Sequence, residues 1–95
     1  MSKRIHKYIL ETTDSQVLSL PKGAGILKAA EQRDGICIWV EVDLKAELED
    51  VEFRIFGTGH EVDIGAKYGQ YIDTVFLGQY VWHVYVVFTT KQHWD

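Results

Sequence analysis

Asp34-Gly35-Ile36-Cys37-Ile38-Trp39-Val40-Glu41-Val42-Asp43 decides the fold of this chain. Ile36, Ile38, Val40 and Val42 face one way, and Cys37, Trp39 and Glu41 the other. Period-two alternation of β-branched residues marks a strand packed on one side, and the first set is core. Asp-Gly ahead of such a run signals a hairpin, so the segment before it is expected to be a strand too. Leu27-Lys28-Ala29-Ala30-Glu31-Gln32 is rich in helix formers. The span from Gly25 to Arg33 is nevertheless too short for a stable helix, and strand is the better reading.

Working outward, Lys45 to Asp50 is mostly acidic and reads as a solvated connection or a single helical turn. Glu47, Glu49 and Asp50 lack the loop pattern of a hard-cation site. Val51, Phe53 and Ile55 then mark one face of the next strand, with Arg54 and Phe56 on the other. From Gly57 to Gly69 four glycines punctuate the longest irregular stretch, which also holds Thr58, His60, Asp63 and Lys67. Such loops are functional more often than others. Tyr71 to Leu77 and Tyr80 to Thr89 flank Gly78-Gln79, a pair suited to a II′ turn. That turn would set Leu77 opposite Tyr80, Val75 opposite Trp82, Thr74 opposite His83 and Ile72 opposite Tyr85.

Upstream, Arg4 to Leu10 alternates, with Ile5 and Ile9 on one side and Tyr8 and Leu10 on the other. Gln16 to Leu20 alternates likewise, and Thr12-Thr13-Asp14-Ser15 between them reads as a hairpin turn. Pro21-Lys22-Gly23-Ala24-Gly25 ends that strand, because proline removes a donor. Turn signals at this regular spacing predict an all-β, single-domain antiparallel β-sandwich or barrel of about seven short strands. The domain takes in residues 1–95, with 90–95 as a tail.

With 95 residues, 46% of them hydrophobic, the chain can form a core without disulfides. Its one cysteine, Cys37, lies in the decisive strand, which rules out an internal disulfide and reads as a buried thiol. A net charge of −4, with basic residues clustered only at Lys3, Arg4 and Lys7, argues against nucleic acid as a partner. There is no apolar run long enough to cross a bilayer and no signal-peptide core, so no membrane association is expected and the cytosol is the simplest compartment.

Arg54 and Phe56 ahead of Gly57-Thr58-Gly59-His60 bring together a guanidinium, a ring, a hydroxyl and glycine-loop amides. Such a set suits a phosphate or carboxylate beside a stacked ring, so Arg54, Phe56, Gly57, Thr58, Gly59 and His60 are the candidate ligand-binding residues. The plainer reading is that Gly57 and Gly59 only shape a turn and Arg54 is a surface charge. Neither a Walker nor a dinucleotide spacing is present. The four histidines, His6, His60, His83 and His93, are scattered, and no metal or cofactor is expected. No nucleophile elbow or placed carboxylate pair appears, so the chain does not read as an enzyme; one acting through His60 ranks last. The final hairpin is apolar on both faces. Trp82, His83 and Tyr85 are therefore expected at an interface, in a homo-oligomer and most simply a dimer.

Several pieces together, Arg4-Ile5-His6-Lys7-Tyr8, Leu20-Pro21-Lys22-Gly23-Ala24, Ile38-Trp39-Val40-Glu41-Val42-Asp43, Phe53-Arg54-Ile55-Phe56-Gly57-Thr58-Gly59-His60 and Val81-Trp82-His83-Val84-Tyr85, resemble those of a family of small tailed-phage proteins known only as a domain of unknown function. The chain departs from that pattern after Tyr85, where Val86 to Asp95 adds Lys91, His93 and Trp94. The resemblance carries no catalytic residue. It implies a phage accessory protein in the host bacterial cytoplasm that acts by binding. Counter-defence is the first expectation, by sequestering a nucleotide immune signal or inhibiting a host defence protein. The alternative is a structural or morphogenesis protein with a self-association interface.

Overall fold

The chain alternates between two sheets as it runs, and that alternation makes a sandwich rather than a barrel. The computed structural model describes residues 3–33, 35–64 and 68–88. These form seven strands: β1 (Lys3–Leu10), β2 (Ser15–Pro21), β3 (Gly25–Gln32), β4 (Gly35–Asp43), β5 (Leu48–Gly57), β6 (Tyr68–Leu77) and β7 (Tyr80–Phe88). All pairings are antiparallel, in a three-stranded sheet ordered β1-β4-β3 and a four-stranded sheet ordered β2-β5-β7-β6. Asp34, Gly65, Lys67 and the tail residues, His93 among them, lie outside the described residues.

The alternation in β4 does what its sequence predicts. Ile36, Ile38, Val40 and Val42 are buried in the core and meet Val51, Phe53, Ile55, Val84 and Val86 from the opposite sheet. Each such side chain, fully buried, stabilises by about 1.5–3 kcal/mol relative to exposure. Cys37 is a free thiol and is buried, although it lies on the other face of β4.

Three expectations are corrected. β1 and β2 do not form a hairpin: β1 pairs with β4 and β2 with β5. The polar segment between them is a corner where the chain changes sheet. Gln16 closes it, its Nε2 donating to the Glu11 carbonyl at 2.7 Å while the Glu11 amide donates to its Oε1 at 3.0 Å. Tyr8 and Leu10 thereby face Leu18 and Leu20 across the core, which covers both apolar faces at once. Second, β5 starts at Leu48, so Glu49 and Asp50 are strand residues, opposite Leu20 and Ser19. Third, in the β6–β7 hairpin the register of Leu77, Val75 and Thr74 is as expected, but Tyr71 and not Ile72 faces Tyr85. A bulge between Tyr71 and Asp73 absorbs one residue. Gly78, at φ 62°, supplies the positive φ that the turn needs.

Where the two sheets approach along β3 and β6, Asp73 joins them. Its Oδ2 accepts the Ala29 amide at 3.3 Å and lies 3.5 Å from Lys28 Nζ, and its Oδ1 accepts the Thr74 amide at 3.0 Å. Desolvation pulls this carboxyl's pKa upward, but the two amides and the Lys28 ammonium outweigh it and hold the group below the ordinary aspartate range.

Candidate functional site

Strand parity sorts the sequence-predicted residues between two faces. Along β5, Val51, Phe53 and Ile55 point into the sandwich, so Arg54 and Phe56 point outward. Arg54 is paired with Tyr85 and Phe56 with His83 on β7, and Tyr71 and Thr74 on β6 complete the row. The outward face of the four-stranded sheet thus carries an aromatic cluster. Phe56 and Tyr85 meet edge-to-face at 5.5 Å, Tyr85 and Tyr71 at 5.2 Å, and the Arg54 guanidinium sits 5.4 Å from the Phe56 ring centre.

His83 is the polar hub of that face. Its Nε2 is 2.8 Å from Thr58 Oγ1, and its Nδ1 is 3.1 Å from the Tyr71 hydroxyl and 3.4 Å from Thr74 Oγ1. The Tyr71 and Thr74 hydroxyls also bond each other. Two elements, the turn after β5 and strand β6, therefore converge on one imidazole carried by β7. Hydroxyls donate or accept, so they satisfy either ring tautomer.

Gly57-Thr58-Gly59-His60 is a hydrogen-bonded reverse turn, the His60 amide donating to the Gly57 carbonyl at 3.1 Å, with Gly59 at φ 90°. Positive φ at the third turn position is where glycine is needed. The Thr58 amide donates to the Val81 carbonyl at 3.3 Å. Two loop amides are thus engaged within the chain, which weakens the turn as a phosphate cradle. Arg54 is engaged too: its Nε donates to the Asp14 carbonyl at 2.9 Å and its NH1 lies 3.7 Å from Glu52.

His60 and Trp82 do not join this face. Gly57 is inward-facing, and a methyl group there would lie 2.9 Å from His60 Cε1 and 3.4 Å from Trp82 Cζ3, so both rings lie at the bare side of Gly57. Trp82 packs against the core, and among the described residues its Nε1–H finds no acceptor. Of the residues expected at an interface, only His83 and Tyr85 face outward.

Part of the cover that the two-faced hairpin needs comes from the chain itself. A methyl on Gly69 would lie 2.5 Å from Ile64 Cδ1 and 3.6 Å from Tyr85, so the loop lays Ile64 back over the outward face. Val87, on that same face, is 3% exposed. Tyr71, Thr74 and Asp73 were not among the sequence candidates. The Thr74–His83 pairing was the signal for Thr74 and for the inward parity of Asp73, whereas the bulge that brings Tyr71 to the outward face left none.

Among the described residues no group of three or more His, Cys, Asp or Glu side chains converges as metal ligands. No helix among them is long and apolar enough to cross a membrane. No curated protein matches the chain, and no solved structure does. A family model described as "Domain of unknown function (DUF7352)" matches residues 1–94. The segment after Tyr85 therefore lies within the family pattern rather than outside it. With the match running over nearly its whole length, the chain belongs to the DUF7352 family.

Proposed function

We propose that this chain is a non-catalytic binding protein whose recognition surface is the outward face of the four-stranded sheet, and that it sequesters a nucleotide-type molecule held by its base and sugar. The observation that carries this reading is the His83 hub, where hydroxyls from Thr58, Thr74 and Tyr71 are held in place before any ligand arrives. Tyr71, 46% exposed beside it, offers a ring for stacking. Phosphates contribute little, because Arg54 and the turn amides are engaged internally. With the resemblance to small tailed-phage proteins, the fitting role is counter-defence in the host cytoplasm.

Thermal unfolding against cyclic dinucleotides, ADP-ribose, mononucleotides and the parent nucleosides tests this. At 100 times its Kd a ligand stabilises by about 2.7 kcal/mol. In a domain this small the shift is roughly 10–20 °C. The shift should persist with the nucleoside and in Trp82→Phe, and vanish in His83→Ala and Tyr71→Ala. A flat panel overturns the nucleotide reading and leaves a host protein as the partner of the same face.

A second reading, a structural component that self-associates, rests on a different surface. Ile5 and Ile9 are 60% and 69% exposed on β1, which among the described residues is an edge of the three-stranded sheet.

A further inference from the structure

Phe56, Tyr71, Phe76 and Tyr85 carry benzene rings on the outward face of the four-stranded sheet, and two of the four stand open. Phe56 is 8% exposed, and Tyr85 is half-buried, edge-to-face with both Phe56 and Tyr71. Tyr71 and Phe76 are 46% and 66% exposed.

The two open rings bracket the His83 hub. Outward positions on β6 run Tyr71, Thr74, Phe76, opposite Tyr85, His83 and Val81 of β7. Tyr85 and Val81 are four residues apart on β7, whose pairing with β5 runs without a register shift. At roughly 3.3 Å per residue the two rings are therefore rooted about 13 Å apart. Between them lie the imidazole and the hydroxyls of Thr74 and Thr58. A single base laid flat on Tyr71 does not reach Phe76. Two bases joined through their sugars do, and the sugars then cross the hydroxyls of the hub.

This strip is bounded at both ends and firmly seated. Beyond Phe76 the chain turns at Gly78, at φ 62°. Beyond Tyr71 the next outward position is Gly69, where Ile64 lies so close that an added methyl would meet its Cδ1 at 2.5 Å. The face thus offers two platforms and no third, which fits two bases and not a longer strand. At the Phe76 end the Thr58 amide donates to the carbonyl of Val81, the partner of Phe76, so the turn bearing the Thr58 hydroxyl is fastened beside that ring.

We infer that the ligand of the His83 face is a dinucleotide, with one base on Tyr71, the other on Phe76, the sugars on the hub hydroxyls and the linking phosphate toward solvent. The inference rests on the nucleotide reading of that face and narrows it from one base to two. Stacking on an aromatic side chain is worth roughly 5- to 150-fold in affinity per base.

NMR titration of the full chain at constant salt tests this. The probes are the 3′,5′-linked dinucleoside monophosphates of adenine, cytosine, guanine and uracil, each beside its own nucleoside. At least one should bind about tenfold more tightly than its nucleoside and move the ring signals of Tyr71 and Phe76 together. Phe76→Ala should erase that gain and Phe76→Trp should keep it; the exposure of this side chain leaves folding unaffected by either change. A tetranucleotide of the same base should gain no more than its number of registers supplies. Dinucleosides that bind no more tightly than nucleosides, or a gain that survives Phe76→Ala, overturn the two-base ligand and leave the nucleotide reading standing. A tetranucleotide that binds far more tightly still overturns it in favour of nucleic acid. If neither nucleosides nor dinucleosides bind, both readings fall.

Discussion

Arg54 sits where an anion would be expected to find it, on an outward strand position just ahead of a glycine turn. Its guanidinium instead braces the Glu11–Asp14 corner through the Asp14 carbonyl, beside a Glu52 carboxylate that also accepts the Ser15 hydroxyl at 3.1 Å. From the sequence alone, replacing Arg54 should abolish ligand binding and leave folding intact. The structure reverses the emphasis. Arg54→Ala should cost about 1.5–3 kcal/mol, the worth of a hydrogen bond to a charged group. A lower urea midpoint with an unchanged slope would record it, whereas an unchanged midpoint would show the brace to be idle. The outward parity of Arg54 and Phe56 and the glycine turn were legible, because both are properties of the sequence, but the inward side of Gly57 where His60 lies was not. What each donor was already bonded to was not, since Asp14 and Val81 reach them through pairings formed far along the chain.

At the scale of the element, β6 carries most of what the sequence did not announce. One absorbed residue at Ile72 puts Tyr71 on the outward face, while Asp73, on the turn side of the bulge, keeps the inward parity of its partner Val84 and reaches β3. Asp73 answers an amide on the open edge of the three-stranded sheet, a position that would otherwise offer itself to another strand. Its depressed pKa fixes the sign of a pH effect. The contribution of this carboxylate is complete above the unfolded aspartate pKa, about 3.9, and is lost as pH falls through the lower folded value. Asp73→Asn should therefore destabilise by about 1–2 kcal/mol at neutral pH. The gap to the parent protein should close in acid, and denaturation curves at neutral pH and at pH below 3 would show whether it does. The alternation in β4 was readable because no bulge interrupts β4 itself, the irregularity of its sheet lying in β3. The alternation in β6 was not, because a bulge leaves no composition signature.

For the whole molecule, the hydrophobic pattern dictated which side of β4 and of β5 is buried but not which strand lies beside either. A polar corner such as Thr12 to Ser15 looks the same whether the next strand pairs with the last or crosses to the other sheet. Oligomer formation depends on the same distinction between covered and open faces. Ile64 shields part of the outward face of the four-stranded sheet, whereas Ile5 and Ile9 on edge strand β1 remain open. If copies associate, they should do so through β1. The double variant Ile5→Lys/Ile9→Lys should then shift the mass in light scattering to that of one chain, and a monomeric parent protein would dispose of the dimer.

Changing sheet at the Gln16 corner also sets a schedule for folding. Of the five strand pairings among the described residues only β3–β4 and β6–β7 are between neighbours in sequence, and they belong to different sheets. Each hairpin is therefore an isolated seed that buries only its own face. β1–β4, β2–β5 and β5–β7 all require the chain to close long loops first. Loop entropy is spent before those contacts repay it, which places this domain among the slower two-state folders. The seeds must find each other before either sheet is complete, and in that interval their apolar faces are open to neighbouring copies of the chain.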